Sequence, residues 1–204
     1  MKIVITGADS FIGKNLIAEL LNRGYTDVTA INDVYDTVGI EDYIINSDFI
    51  FHLQTVYRPK DEKSFTLINC NSTKKIIDLI GSQQKSLLLL SSTQVGNGSI
   101  YGQSKLIAEE YVNKWWKTTG NKAYIFRLAN EFGKWCPPNL NSVVATFCHN
   151  IANGYDIKIN NPDALLKLQY IDDIIDVFIS ALEGDLDSIY PPIVPTYDTT
   201  VGEV

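Results

Sequence analysis

The fold follows from a stretch near the amino terminus, KIVITGADSFIGKNLIAELLNRG at residues 2–24. Residues 2–6 form a short, largely apolar run rich in β-branched side chains, which is typical of a buried strand. Gly7 follows as a turn residue, and from Phe11 onward apolar side chains recur at helical spacing until Gly24. A glycine at this place is a common helix terminus. The stretch therefore predicts a strand, a tight turn and a helix.

The same alternation of strand and helix continues along the chain. Strands are predicted at residues 27–32, 47–53, 86–92 and 122–130, and helices at residues 64–82 and 101–120. Because the strands are nearly all apolar, the sheet should be parallel and covered by helices on both faces. We therefore predict an α/β protein with a Rossmann-type doubly wound parallel sheet.

The pattern loosens after residue 130, where Pro137 and Pro138 predict a loop at residues 131–141. Further elements are predicted as a helix at 142–154, short strands at 156–160 and 167–171, and a helix at 172–184 with Asp172 or Asp173 as its N-cap. We divide the chain into a dinucleotide-binding Rossmann core at residues 1–130 and a mixed segment at residues 131–204. Part of the second segment should form a small substrate-binding region, and residues 165–183 should return to the core.

Composition excludes several kinds of partner. The formal net charge is -7, which argues against nucleic acid or an anionic membrane as the main partner. The chain has 3 Cys, an odd number without short spacings, and 2 His, so we predict reduced thiols and no metal site. No long apolar run exists, and the first residues already form a strand, so we expect a cytoplasmic protein without a signal peptide.

The turn TGADSFIG at residues 6–13 has the position of a phosphate-binding loop. In a doubly wound fold this turn faces the pyrophosphate of a dinucleotide, and the amides of the following helix attract the anion. Gly7 permits the tight turn and Gly13 permits close packing of the helix, while Ser10 takes the middle glycine position of G-x-x-G-x-x-G. The predicted cofactor residues of this loop are Gly7, Asp9, Ser10, Phe11, Ile12 and Gly13. The alternative is a strand–helix turn without a ligand.

The ribose of the adenosine should be read at the end of the second strand, where Asn32 and Asp33 stand. An acidic side chain there would bond the ribose hydroxyls and repel an added phosphate. The alternative is that Asp33 only begins a turn. Leu53 and Gln54, which follow the third strand, should lie along the cofactor path.

The segment SSTQVGNGSIYGQSK at residues 91–105 places Tyr101 four residues before Lys105, on one face of the predicted helix. The pair alone is a weak signal. In combination with TGADSFIG, FHL, RLANEFG and YIDDI, however, the chain resembles the extended short-chain dehydrogenase/reductases, the NAD-dependent epimerase/dehydratase family.

A more specific resemblance is carried by FGKWCPPNLNSVVATFC, by YRP at residues 57–59 and by the short gap between Thr93 and Tyr101. It is to the reductase domain of the bifunctional reductase/epimerases that make UDP-N-acetyl-L-fucosamine for capsular polysaccharide. In those proteins a C-terminal cupin domain follows. The resemblance implies that this chain is a reductase domain without its cupin domain, and a homo-oligomer is expected.

The resemblance also implies roles for single residues. Tyr101 would donate a proton, Lys105 would favour the phenolate and hold the nicotinamide ribose, and Thr93 would bond the reacting sugar oxygen. Asn130 and Lys134 would meet the sugar nucleotide. Arg58 would meet a diphosphate or lie on the surface.

These roles predict an NAD(P)H-dependent reductase of a nucleotide-linked keto-deoxysugar, with a UDP-linked substrate, in surface polysaccharide biosynthesis. The cofactor is NADP or NAD. Two alternatives stay open. One is an epimerase that uses the same residues and retains its NAD, and the other is a non-catalytic dinucleotide sensor.

Overall fold

The computed structural model describes residues 1–204. The core is a parallel sheet of β1 (Ile3–Thr6), β2 (Val28–Ile31), β3 (Phe49–His52), β4 (Ser86–Ser92) and β5 (Lys122–Leu128), in the order β2-β1-β3-β4-β5. The chain reverses its winding direction between β1 and β3, and in open α/β sheets ligands bind at the carboxyl ends of the strands at such a point. The predicted doubly wound fold is confirmed.

The helices are α1 (Phe11–Asn22), α2 (Ile40–Asn46), α3 (Ser72–Ile80), α4 (Ile100–Thr119), α5 (Val143–Ala152) and α6 (Ile171–Glu183), and a π-helical segment, Phe65–Asn71, leads into α3. All of these helices except α5 contribute side chains to the clusters that cover the two faces of the sheet. None of these helices is both long and apolar enough to cross a lipid bilayer.

Alternate side chains of the strands enter two separate hydrophobic clusters. Ile3 and Ile5 of β1 belong to the cluster under α1 and α6, whereas Val4 belongs to the cluster under α2, α3 and α4. Both faces are therefore buried, which explains why the strands are largely apolar and do not alternate between apolar and polar residues. At roughly 25 cal/mol per Å² of buried apolar area, these two layers supply the main stabilisation of the fold.

A second, small sheet lies beyond β5. It contains β6 (Asn130–Phe132), β7 (Leu165–Tyr170) and β8 (Tyr197–Thr200), with β6 parallel and β8 antiparallel to β7. Residues 165–183 divide between two places: α6 packs in the core cluster, but β7 pairs in the small sheet. The expected return of the whole segment to the core is therefore wrong for β7. The boundary at residue 130 stays a prediction.

Three local predictions are corrected. Residues 156–160 form no strand, and their side chains are exposed, so the apparent alternation has no sheet to join. The N-cap of α6 is Tyr170. Asp172 and Asp173 both lie in the first turn, where their negative charges interact favourably with the helix dipole, but neither residue caps the helix. The predicted loop at residues 131–141 begins within β6.

Candidate active site

A cavity of about 560 Å³ opens at the carboxyl ends of β1, β3 and β4. Its walls come from the loop after β1, the segment after β3, the first turn of α4 and residues 129–142. The cavity therefore lies at the switch point of the sheet, where the fold predicts a dinucleotide.

The loop after β1 is held closely against its neighbours. Gly7 has φ 68°, and a Cβ on it would stand 2.7 Å from the amide nitrogen of Gln54. A Cβ on Gly13 would stand 2.5 Å from the carbonyl oxygen of Gly7. Both glycines are thus required by the geometry, since real Cβ atoms do not approach other atoms so closely.

The start of α1 fits the pyrophosphate of NAD or NADP. Asp9, Ser10, Phe11 and Ile12 line the cavity, so the first free amides of the helix face it. Ser10 is the N-cap, and its Oγ accepts a hydrogen bond from the Gly13 amide at 3.0 Å. These residues would hold the phosphates of the cofactor through backbone groups.

We expect a Ser10→Gly variant to bind NADH or NADPH as well as the parent does, because glycine keeps the amide and is a tolerated N-cap. Ser10→Ala should instead lower the free energy of unfolding by about 1 kcal/mol through the lost cap. Calorimetric titration and urea unfolding measure the two effects. A large loss of affinity in Ser10→Gly would show that the hydroxyl itself binds phosphate.

The residues predicted at the adenosine ribose have defined partners in the structure. Asp33 Oδ1 accepts a hydrogen bond from the Tyr35 amide at 2.8 Å, so Asp33 does begin a turn. Gln54 is buried, and its Oε1 accepts a hydrogen bond from the Val34 amide at 3.0 Å. Gln54 thus ties the end of β3 to the end of β2 and lies outside the cavity wall, whereas Leu53 lines it. Asn32 is exposed.

Tyr101 lies in the first turn of α4 and faces the cavity. Its ring packs edge-on against Tyr57, with the centroids 4.8 Å apart. Gly102 lets the preceding loop lie directly on the helix, because a Cβ there would stand 2.3 Å from the carbonyl oxygen of Gln94. Burial raises the pKa of Tyr101 to about 12, so the side chain is a neutral phenol at physiological pH.

Lys105 lies one helical turn further on, beneath the cavity. Only 2% of the residue is exposed, and Nζ donates a hydrogen bond to the carbonyl oxygen of Leu90 at 2.8 Å. Nζ is 6.0 Å from the centroid of the Tyr101 ring. Burial lowers the pKa of Lys105 to about 7, so its proton is mobile near neutral pH.

Three consecutive hydroxyl groups at the end of β4 point in different directions. Ser91 Oγ donates to the buried carboxylate of Glu109. Thr93 is exposed, and its Oγ1 donates to the carbonyl oxygen of Leu128 at 3.2 Å. Ser92 lines the cavity, but Thr93 does not.

Of these three hydroxyl groups, that of Ser92 lies next to Tyr101. Together with the hydroxyl of Thr55, it opposes the rise in the pKa of Tyr101 that burial causes. Ser92 therefore lies beside Tyr101 in the cavity, where the resemblance implied Thr93. The sequence SST alone does not show which of these hydroxyl groups faces the cavity. Successive side chains of a strand point to opposite faces, so the answer depends on where the strand ends.

The three residues expected to meet the sugar nucleotide are not all in the cavity. Asn130 and Arg58 line it. Arg58 Nη1 donates to the carbonyl oxygen of Leu140 at 3.4 Å. Lys134 lies outside the cavity, where its Nζ pairs with Asp172 Oδ1 at 3.2 Å. It therefore does not line the cavity, contrary to the expectation that it would meet the sugar nucleotide.

Asn69 connects the segment after β3 to α4. Its Nδ2 donates to Ser104 Oγ at 2.9 Å and to the Val56 carbonyl oxygen at 3.0 Å, while its Oδ1 accepts from the Val56 amide. The π-helical segment presents this side chain inward. Asn69 thereby fixes the segment after β3 against α4.

Among the residues of the cavity wall that were not candidate site residues from the sequence are Ser92 and Glu131. Glu131 lies between Asn130 and Phe132 in β6, and an acid in the motif RLANEFG was the signal that could have found it.

Comparisons with known proteins agree with this geometry. The model of the NAD dependent epimerase/dehydratase family matches residues 3–190. A UDP-2-acetamido-2,6-beta-L-arabino-hexul-4-ose reductase of Pseudomonas aeruginosa is 39% identical over 207 residues, which cover 100% of this chain and 56% of that protein.

Solved structures give the same result. The capsular polysaccharide assembling protein CapF from Staphylococcus aureus matches with a TM-score of 0.87 at 35% identity, covering 100% of this chain and 55% of that one. The UDP-glucuronic acid 4-epimerase from Bacillus cereus in complex with NAD matches with a TM-score of 0.84 at 19% identity, covering 98% of this chain and 81% of that one, which shows the fold alone. The chain thus spans about half the length of the reductase and of CapF.

Proposed function

The chain belongs to the NAD dependent epimerase/dehydratase family, and from this premise we propose that it reduces the keto group of a nucleotide-linked deoxysugar with NADH or NADPH. The substrate class is a UDP-linked keto-deoxysugar, and the pathway is the synthesis of a surface polysaccharide. The relative that is named a UDP-hexul-4-ose reductase supports the substrate. A homo-oligomer and a following cupin domain stay predictions.

The observation that carries this proposal is the arrangement of three side chains at one end of the cavity. The neutral phenol of Tyr101 and the hydroxyl of Ser92 face the same space, and the buried amine of Lys105 lies beneath them. One proton donor, one hydrogen-bonding hydroxyl and one proton reservoir are what the reduction of a ketone requires.

The residues of the chain would act in order. A bound nicotinamide cofactor supplies the hydride for the carbonyl carbon. Ser92 orients the carbonyl oxygen with a hydrogen bond, and the Tyr101 hydroxyl gives its proton to that oxygen. Lys105 then stabilises the phenolate and can restore the proton, because its pKa of about 7 lies near the working pH.

The basic side chains of the cavity favour the diphosphate of the substrate. Lys14 and Arg58 both line the wall, although the whole chain carries a net charge of -7. A guanidinium at this place is suited to bind phosphate oxygens. Arg58 is therefore our candidate for the nucleotide diphosphate, with Asn130 near the sugar.

The test is a titration of NADH and NADPH into the protein by calorimetry, followed by addition of a UDP-4-keto-deoxysugar. Stoichiometric loss of the absorbance of the reduced nicotinamide supports the reductase. An epimerase would convert the sugar without consuming added cofactor, and a sensor would bind the cofactor and leave the sugar unchanged.

We expect Asp33→Arg to shift the preference of the protein from NADH toward NADPH. The carboxylate of Asp33 follows the end of β2, where the added phosphate of NADPH would be repelled, and arginine would bind that phosphate instead. The measurement is the ratio of the two dissociation constants in parent and variant. An unchanged ratio would mean that the side chain serves only the turn with Tyr35.

A further inference from the structure

Glu131 is a carboxylate of the reaction cavity that the proposed reduction does not use. It lies in the middle of β6, opposite Gln169 of β7. The Gln169 side chain also accepts a hydrogen bond from the Ala129 amide at 2.8 Å. A hydrogen-bonded strand therefore carries the carboxyl group, and such elements hold functional groups more precisely than loops do.

The carboxylate of Glu131 has no ionic partner. None of the seven ion pairs of the chain includes it, although the residue is half-buried and lines the cavity. Carboxylates that leave water are normally paired, because the charged form loses its solvation. Glu131 thus has a free carboxyl group that a bound molecule would meet.

The surroundings make this group a base of useful strength. Burial raises the pKa of Glu131 to about 7, and the amine of Lys105 opposes part of that rise. The titratable and charged side chains that influence it or share its cavity are Tyr101 and Lys105 of α4, Cys136 after β6, Asp9 and Lys14 around the start of α1, and Tyr57 and Arg58 after β3. At neutral pH a substantial fraction of Glu131 is ionised and can accept a proton.

We propose that Glu131 is a second proton-transfer group of this cavity, which removes and returns the proton on a carbon next to the keto group of the nucleotide-linked sugar. For the substrate class, this inference rests on the proposed function. It gives the cavity a proton-exchange activity in addition to reduction, and it needs no redox step.

The exchange step balances without a further reactant. The bond between hydrogen and the carbon next to the ketone breaks, the proton goes to the carboxylate of Glu131, and the electron pair forms the double bond of an enolate. The neutral hydroxyls of Tyr101 and Ser92 stabilise the charge on the oxygen. The carboxyl proton exchanges with solvent, and its return from Glu131 to the same face of the same carbon restores the ketone with its original configuration.

The experiment follows deuterium uptake into a UDP-4-keto-deoxysugar in deuterated water, with no nicotinamide cofactor added. Mass spectrometry and proton NMR give the rate at the carbons next to the ketone. We expect the parent to exceed the buffer rate and Glu131→Gln, which has nearly the same shape, to fall by about 10²-fold or more. Glu110→Gln, which removes the same charge from the exposed face of α4, is the matched control and should equal the parent.

The pH profile of the parent is a second readout, independent of whether the variant folds. The exchange rate should rise as pH increases through about 7, where the carboxyl group ionises. Exchange no faster than in buffer, an unchanged rate in a folded Glu131→Gln protein, or a parent rate that does not rise through this range would overturn the inference. A separate assay with NADH or NADPH added distinguishes the two proposals: exchange in a protein that does not consume the cofactor would support the inference and refute the reductase, whereas reduction without exchange would do the reverse.

Discussion

A Tyr101→Phe variant should bind NADH or NADPH like the parent and lose most of its turnover, by about 10²–10⁴-fold. The change removes one oxygen from a ring whose position is fixed by the edge-on contact with Tyr57 at 4.8 Å. Since the ring still fills its place, the cavity and the loop after β1 keep their geometry. What disappears is the proton donor next to Ser92.

The variant needs two measurements and one control. Calorimetry gives the affinity for the cofactor, and consumption of the reduced cofactor gives the rate with a UDP-4-keto-deoxysugar. Tyr111→Phe removes a phenol from the same helix outside the cavity and should have the parent rate. If Tyr101→Phe turned over as fast as the parent, another group would have to supply the proton, and Tyr101 would leave the mechanism.

The elements of the core could be predicted from the sequence because their patterns are local. An apolar run such as Ile3–Thr6 has no place other than a sheet buried on both faces, and a glycine after an amphipathic helix marks its end. The short helix α2 was missed, since seven residues give too little helical periodicity to detect, and the strand β8 was missed, since Tyr197–Thr200 is not an apolar run. Residues 156–160 show the reverse error: alternation indicates a strand only where a neighbouring strand can pair with it.

From the sequence, only those features of the site could be predicted that depend on residue type and on spacing along the chain. Tyr101 and Lys105 are joined by one turn of a helix, so their spacing fixes their proximity. The choice between Ser92 and Thr93 depends on how β4 ends, and the exclusion of Lys134 depends on an ion pair with Asp172 on a distant element. Such facts arise from packing and carry no local sequence signal.

The second large effect should come from Lys105→Met, which keeps the length of the side chain and removes its amine. Turnover should fall by about 10²-fold or more, because the phenolate of Tyr101 then lacks its neighbouring positive charge and its proton reservoir. The control is Lys114→Met, on an exposed position of the same helix. A variant with the parent rate would show that the amine has no part in the proton transfer.

The same variant should also change how stability depends on pH. Burial lowers the pKa of Lys105 from 10.5 to about 7 in the folded chain. Between these values the unfolded chain holds a proton that the folded chain has released, so the free energy of unfolding of the parent should rise with pH, by up to about 1.4 kcal/mol per pH unit. Urea unfolding at pH 7, 8 and 9 keeps clear of Glu131, whose raised pKa acts in the opposite direction below about 7. Lys105→Met should lose this slope and Lys114→Met should keep it; equal slopes in all three proteins would mean that the folded chain leaves Lys105 protonated over this range.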